Sequence, residues 1–265
     1  TLIYSGELWG YNKVMPVTIT SASTKVAVPV IKSVYGLAEN DEAGFNKEFR
    51  GLKKVKKGLA MMSGNKPAYI ENTALEPVSD DARILQEYAR QGYKGGFNGC
   101  LKPGYYERDT YDYDLCNAYP TCMGIVPDID WDNPISFEGK NQPLTKMMVR
   151  NPFDPVFAYV TFEFPGNVKV PCIPVTEEGS LIYPRTSGDL DGVYVSAPEL
   201  WLALRLGAKV FVKRIYVGTI KTDENGNVVH SLFHVVKQMI ADRTVAKTMF
   251  GKSLDRKSGS AGMPR

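Results

Sequence analysis

The chain has 265 residues, 43% hydrophobic and 23% charged, with a net charge of only +3. That is enough for one large domain or parts of two, and it argues against a disordered tail or a chain-wide nucleic-acid coat. Four cysteines without a C-x-x-C pair, and two histidines, argue against a zinc site or disulfide scaffold and for a reducing, cytoplasmic setting; no run of 18 apolar residues offers a membrane span.

Residues 1–40 read as short apolar, β-branched runs, Val14 to Ile19 and Val26 to Val34, the second broken by Pro29. Residues 40–78 show no sustained period and read as a linker or surface-hugging segment. Within them Lys47, Arg50, Lys53, Lys54, Lys56 and Lys57 stand against one acid, Glu48. Such a run is a solvated basic face or, in the sharper reading, a contact for phosphates. Ser79-Asp80-Asp81 starts a helix whose apolar residues Ala82, Leu85, Tyr88 and Ala89 recur at helical spacing, and Gly92 stops it. A Gly-rich loop, Tyr93 to Phe97, follows.

Residues 110–115 alternate as a strand does, with Asp112 and Asp114 on one face and Tyr111 and Tyr113 on the other. Pro120 allows a helix to begin, and Pro127 and Pro134 end that stretch. Val156 to Phe164 is a strand. Pro165-Gly166-Asn167 then turns the chain, and Val168 to Val175 reads as the return arm of a hairpin. A short strand at Leu181 to Tyr183 precedes Ser196-Ala197-Pro198-Glu199, which fits a capping box opening a helix that closes at Gly207. Val210 to Val217 is a strand. Asn225-Gly226 is a turn before a last helix capped by Ser231 and running to about Phe250. The class is α+β, without the regular alternation of a doubly wound fold.

Two loops carry chemistry. Asp114 is a carboxylate at the end of an apolar segment, followed by a small polar loop and Tyr119-Pro120. Nucleotidyl transfer needs carboxylates to hold divalent metals, backbone N–H groups for phosphate oxygens, and a wall beneath the sugar. Read alone, the same residues also describe a surface Asp and a core Tyr. Tyr93-Lys94-Gly95-Gly96 combines close backbone approach with stacking and charge, which suits a grip on single-stranded DNA; a Gly turn with a packed Tyr is the plainer alternative.

Together these runs resemble two motifs of family B DNA polymerases, in the protein-primed branch of phages and linear plasmids. Asp114 to Pro120 is similar to motif A, although Ser-Leu is commoner there where Asn117-Ala118 stands. Tyr93 to Gly96 is similar to the Tyr-x-Gly-Gly motif between the exonuclease and polymerase modules. The resemblance implies that Asp114 and the Leu115 backbone carbonyl bind magnesium in a two-metal site. It implies that Asn117, Ala118 and Tyr119 hold the nucleotide, with Tyr119 as sugar gate, and that Tyr93, Lys94, Gly95 and Gly96 hold the template-primer DNA. Arg243 and Lys247, four apart on the last helix, would hold the triphosphate.

The implied layout is the end of a 3′–5′ exonuclease domain and linker in 1–78 and a palm portion in 79–155. An antiparallel insertion resembling the region that binds the terminal (priming) protein fills 156–228, and the start of the fingers fills 229–265. The implied partners are DNA, a deoxynucleoside triphosphate and the terminal protein. Both ends read as cut, no second metal-binding Asp-Thr-Asp turn follows, and the expectation is a piece inactive alone. A metal-dependent nuclease using Asp112 and Asp114, or a non-catalytic nucleic-acid-binding phage protein, are the alternatives. Gly251-Lys252-Ser253 lacks the earlier glycine of a phosphate loop, and His230 and His234 lack a third metal ligand.

Overall fold

The computed structural model describes residues 19–63, 66–96, 104–107, 109, 111, 113–115 and 117–250. Two compact units emerge, one spanning Glu42–Cys116 and Pro127–Val229, the other Thr1–Asp41, Asn117–Val126 and His230–Arg265.

The first unit is built on an antiparallel sheet of β3 (Ile135–Pro143), β4 (Val156–Glu163), β7 (Val193–Ser196) and β8 (Lys209–Gly218), in the order β3-β8-β4-β7. On β4 the side chains alternate strictly. Val156, Ala158, Val160 and Phe162 face a core that also takes Val193, Val195, Val210, Val212 and Ile215, while Phe157, Tyr159 and Thr161 face the other way. A bulge opposite Tyr159/Val160 leaves Lys213 as an extra residue on β8, so the inward phase moves from Val210 and Val212 to Ile215. Helix α5 (Ala197–Arg205) closes the core with Ala197, Leu200 and Ala203. Gly207, at φ +78, turns the chain out of this helix into β8.

Helix α3 (Asp80–Gly92) lies on the sheet's other face. Ser79 caps it as its sequence predicts, accepting a hydrogen bond from the Ala82 N–H at 3.1 Å, and Ala82 and Leu85 are its buried contacts. Tyr88 meets Tyr194 and Tyr216 edge-on, with ring centroids 5.2 and 4.7 Å apart. Burial pushes the Tyr88 phenol up to about 12, with the neighbouring tyrosines adding to the effect.

The strands at 156–164, 181–183 and 210–217 form as expected, the second as β6 (Ser180–Ile182), which pairs with β5 (Val175–Glu177). The hairpin return at 168–175 does not. β4 pairs with β7 and β8 instead, and its end continues against Arg185 to Ser187. Pro171 and Pro174 have no N–H to donate, so that segment cannot sustain a ladder. The capping box at Ser196 is also altered, because its hydroxyl donates to the Glu199 carboxylate (2.6 Å) rather than bonding helix backbone.

Residues 40–78 are not a linker. Helix α2 (Glu42–Glu48) leads into a two-stranded ribbon of β1 (Leu52–Ser63) and β2 (Lys66–Pro77), twelve residues each. Gly51, at φ +65, passes beneath the Trp131 ring, whose indole N–H donates to the Phe49 carbonyl at 3.1 Å.

The second unit is helical. α1 (Ile19–Val34) replaces the expected broken runs and includes Pro29 within it. Packing on the last helix, α6 (Ser231–Phe250), overrides the weak helix preference of its β-branched residues. α4 (Ala118–Ile125) also packs on α6, with Gly124 against Phe233. On α6 Val235 is buried, and Met239 and Ile240 are substantially exposed. The run from Val14 to Thr18, Phe97, Asp112, Cys100, Cys116 and Gly251 to Ser253 lie outside the described residues.

Candidate active site

No strand forms among the described residues of 110–115. Tyr111, Tyr113, Asp114 and Leu115 run irregularly and are all exposed. Closely spaced carboxylates and solvent-facing rings give this stretch no buried face that strand pairing could reward. The Tyr111 and Tyr113 ring centroids lie 6.5 Å apart.

Asp114 is exposed, and Leu115 is 79% exposed. Tyr93 is 80% exposed and Tyr119 is 83% exposed, which removes the packed-Tyr alternative for both loops. Tyr93 to Gly96 extends past the C-terminus of α3 without regular structure. A Cβ on Gly95 would meet only the Leu181 side chain, at 3.8 Å, and one on Gly96 would meet nothing within 4 Å, so the backbone stays open to a ligand. Tyr105 and Tyr106, which the motif reading passed over, are exposed as well. The signal for them was the density of tyrosines between the two motifs, because each offers a stacking face.

Asp114 and Leu115 belong to the sheet unit, while Asn117, Ala118 and Tyr119 belong to the helical unit. Asn117 sits in the left-handed region at φ 57, a conformation its short polar side chain tolerates better than most residues. Its carbonyl accepts the first bond of α4 from the Thr121 N–H at 2.9 Å. Ala118 and Tyr119 open that helix, and Pro120 follows inside its first turn, as expected from a residue that lacks the N–H.

Arg243 lies on α6, and its Nη1 donates to Asn117 Oδ1 at 3.3 Å. Two residues predicted separately to hold a triphosphate are therefore brought together. Lys247 lies one turn further along α6, and its side chain is outside the described residues. His230 Nδ1 lies 3.2 Å from the Val126 carbonyl, and the His234 ring packs edge-on against Phe233.

The Asp114 carboxylate and the Leu115 carbonyl are hard oxygen donors of the kind magnesium takes. Among the described residues no group of three His, Cys, Asp or Glu side chains could hold a metal ion. These donors therefore suit magnesium in kind but do not complete a two-metal site. Among the described residues no helix is long and apolar enough to cross a membrane.

Comparison with known proteins places these features. The family described as DNA polymerase type B, organellar and viral, matches residues 69–229. The primer-independent DNA polymerase PolB of Escherichia coli is 34% identical over 143 residues, which cover 53% of this chain and 15% of that protein. Among solved structures, phi29 DNA polymerase complexed with primer-template DNA in a post-translocation binary complex is 12% identical, with a TM-score of 0.40 over 91% of this chain and 37% of that one. The family match takes in more than half of the chain, including both candidate loops, and the chain belongs to the organellar and viral type B DNA polymerases.

Proposed function

We propose that the chain is part of a DNA-directed DNA polymerase that transfers deoxynucleoside monophosphates during replication of phage or plasmid DNA in the host cytoplasm. The observation that carries this reading is the run Asp114 to Pro120, in which Asp114, Leu115 and Tyr119 are exposed, downstream of Tyr93-Lys94-Gly95-Gly96 with its exposed Tyr93, inside the span the family matches. Residues 1–78 are the end of the exonuclease domain and its connection to the palm, 79–155 the palm portion, 156–228 the terminal-protein-region-like insertion and 229–265 the start of the fingers.

Asp114 and the Leu115 carbonyl would supply oxygens to magnesium, in a two-metal site that also needs a second carboxylate. Bound there, the metals would make the attacking hydroxyl more acidic and neutralise charge on the leaving pyrophosphate. Tyr119 presents its ring to the sugar and rejects a 2′-hydroxyl. Asn117, Ala118, Arg243 and Lys247 hold the triphosphate, and Tyr93 to Gly96 hold the template-primer. An Asp114→Ala change in the polymerase should reduce nucleotide incorporation by roughly 10³-fold or more, because a metal ligand supplies several kcal/mol of transition-state stabilisation. Near-normal incorporation would remove the assignment.

Two modes of initiation are compatible with this chemistry. The layout of the insertion supports priming by a terminal protein hydroxyl, whereas the Escherichia coli relative is named primer-independent. Incorporation on a template offered without primer or priming protein favours the second mode; dependence on an added priming protein favours the first. A nuclease has no use for a sugar-gating tyrosine after its carboxylate, which ranks that reading lower.

A further inference from the structure

The basic run at 47–57 takes no part in the chemistry above. Lys53, Lys54 and Lys56 lie on β1 and are exposed. Side chains alternate along a strand, so Lys54 and Lys56 share one face of the ribbon and Lys53 lies on the other. Opposite them on β2 the register sets Glu76 against Lys53, Leu75 against Lys54 and Thr73 against Lys56. Directly opposite these three lysines the ladder sets one acid, Glu76 against Lys53.

The root of the ribbon is fixed to the sheet unit. Val78 N–H donates to the Gly51 carbonyl at 2.9 Å, Gln86 to the Arg50 carbonyl at 3.0 Å and Lys53 Nζ to the Val78 carbonyl at 3.0 Å. Two acids near the root pair with other lysines: Asp132 with Lys47 at 2.9 Å and Glu48 with Lys221 at 2.5 Å. A groove of about 630 Å³ opens at the same root, lined by Lys47, Lys53, Lys54, Val78 and Trp131 among others.

We propose that the ribbon β1–β2 is a duplex-DNA contact that grips the phosphate backbone through Lys53, Lys54 and Lys56, independently of sequence. Twelve residues at ~3.3 Å each give an arm about 40 Å long, a little more than one turn of duplex. A major groove admits a two-stranded ribbon. Cations on both faces suit an edge-first entry, in which each face meets one of the two phosphate rows bordering the groove. A single strand has one phosphate row and would leave one face unused. The choice of DNA as partner rests on the polymerase reading; the charge pattern itself specifies only a duplex polyanion.

The test measures binding of the chain to a fluorescent duplex, and to one strand of the same sequence, across a salt series. Neither nucleotide nor turnover is needed, so the outcome is separate from that of the Asp114→Ala experiment. Replacing Lys53, Lys54 and Lys56 by Gln should weaken duplex binding roughly tenfold or more near 0.1 M salt. The slope of log K against log salt should fall by about 3, close to one per lost phosphate contact. Unchanged duplex affinity and slope, or a loss confined to the single strand, would overturn the proposal. Lysine acetylation of the unaltered chain gives a second readout that does not depend on how the variant folds. Protection of Lys53, Lys54 and Lys56 by duplex supports the contact, and equal reactivity with and without duplex rejects it.

Discussion

The sheet unit and the helical unit hold themselves together differently. In the sheet unit β-branched side chains on β4, β7 and β8 alternate into a core with Leu200, Val160, Val212 and Ile215 fully buried. In the helical unit the described part of α6 carries Phe233, Met239, Ile240 and Val245 substantially exposed, and among the unit's described residues Ile31 and Val235 are deeply buried apolar ones. The proposed nucleotide contacts Asn117, Tyr119 and Arg243 belong to this second unit, whose described residues bury little apolar surface. Regions with little buried apolar surface open at low free-energy cost, and residues that must move with a substrate are drawn from such regions.

The sharpest way to break this contrast is to empty the sheet core. Leu200→Ala should destabilise the sheet unit by about 2–5 kcal/mol, the range for a buried leucine whose surroundings cannot collapse. Hydrogen exchange should show faster opening across β4 and β8, with α6 little changed. Equal loosening of both units would mean that they share one cooperative transition.

Two glycines test the same contrast by adding a methyl group. At Gly51 the backbone is at φ +65, and a Cβ would lie 2.4 Å from Trp131 Cδ2, so Gly51→Ala should cost about 3 kcal/mol. At Gly124 a Cβ would rest 3.5 Å from Phe233, an ordinary contact, and alanine favours the helix. Gly124→Ala should be neutral or slightly stabilising, by up to about 1 kcal/mol. Thermal melts of the two variants decide whether tight packing is confined to the sheet unit.

Alkaline pH provides a milder probe. The Tyr88 phenol, ordinarily near 10, is raised to about 12 in the folded chain. Its contribution is complete below the unfolded value and is lost as pH rises through the folded value, because above pH 10 the unfolded state releases a proton that the folded state retains. Denaturant melts should show the sheet unit weakening between about pH 10 and 12, and Tyr88→Phe should flatten that decline. An unaltered slope in the variant would assign the effect to another group, such as Tyr159, whose phenol is also raised, chiefly by burial. The smallest expected change in stability is at Arg243. Arg243→Ala removes an exposed contact and should alter stability by no more than about 0.5 kcal/mol. It should nonetheless raise the KM for deoxynucleotide roughly tenfold, through loss of a charge-assisted contact.

Sequence reading succeeded where a local signal and the tertiary structure agreed. Ser79 capping α3, Gly207 closing α5, the apolar alternation of β4 and the Asn225-Gly226 turn could each be read from a few neighbouring residues. It failed where the deciding force was remote. α1 is helical because α6 lies against it, and its own β-branched residues point the other way. β1 carries lysines at 53, 54, 56 and 57 and shows no apolar alternation, since a two-stranded ribbon is held by its ladder and needs no buried face. Its available signal was the pair Gly64-Asn65 between two twelve-residue runs, a combination that favours a hairpin. Of the candidate site, the residue identities were legible. The Arg243–Asn117 contact was not, because 126 residues separate the partners.

The extra residue at Lys213 has a consequence for how β8 can vary. Before the bulge its odd-numbered positions face outward; beyond it Ile215 and Val217 face the interior. The strand carries two opposite parities joined at one position. Removing or adding a single residue there would exchange inside for outside along half of β8, so its length is constrained as tightly as its composition.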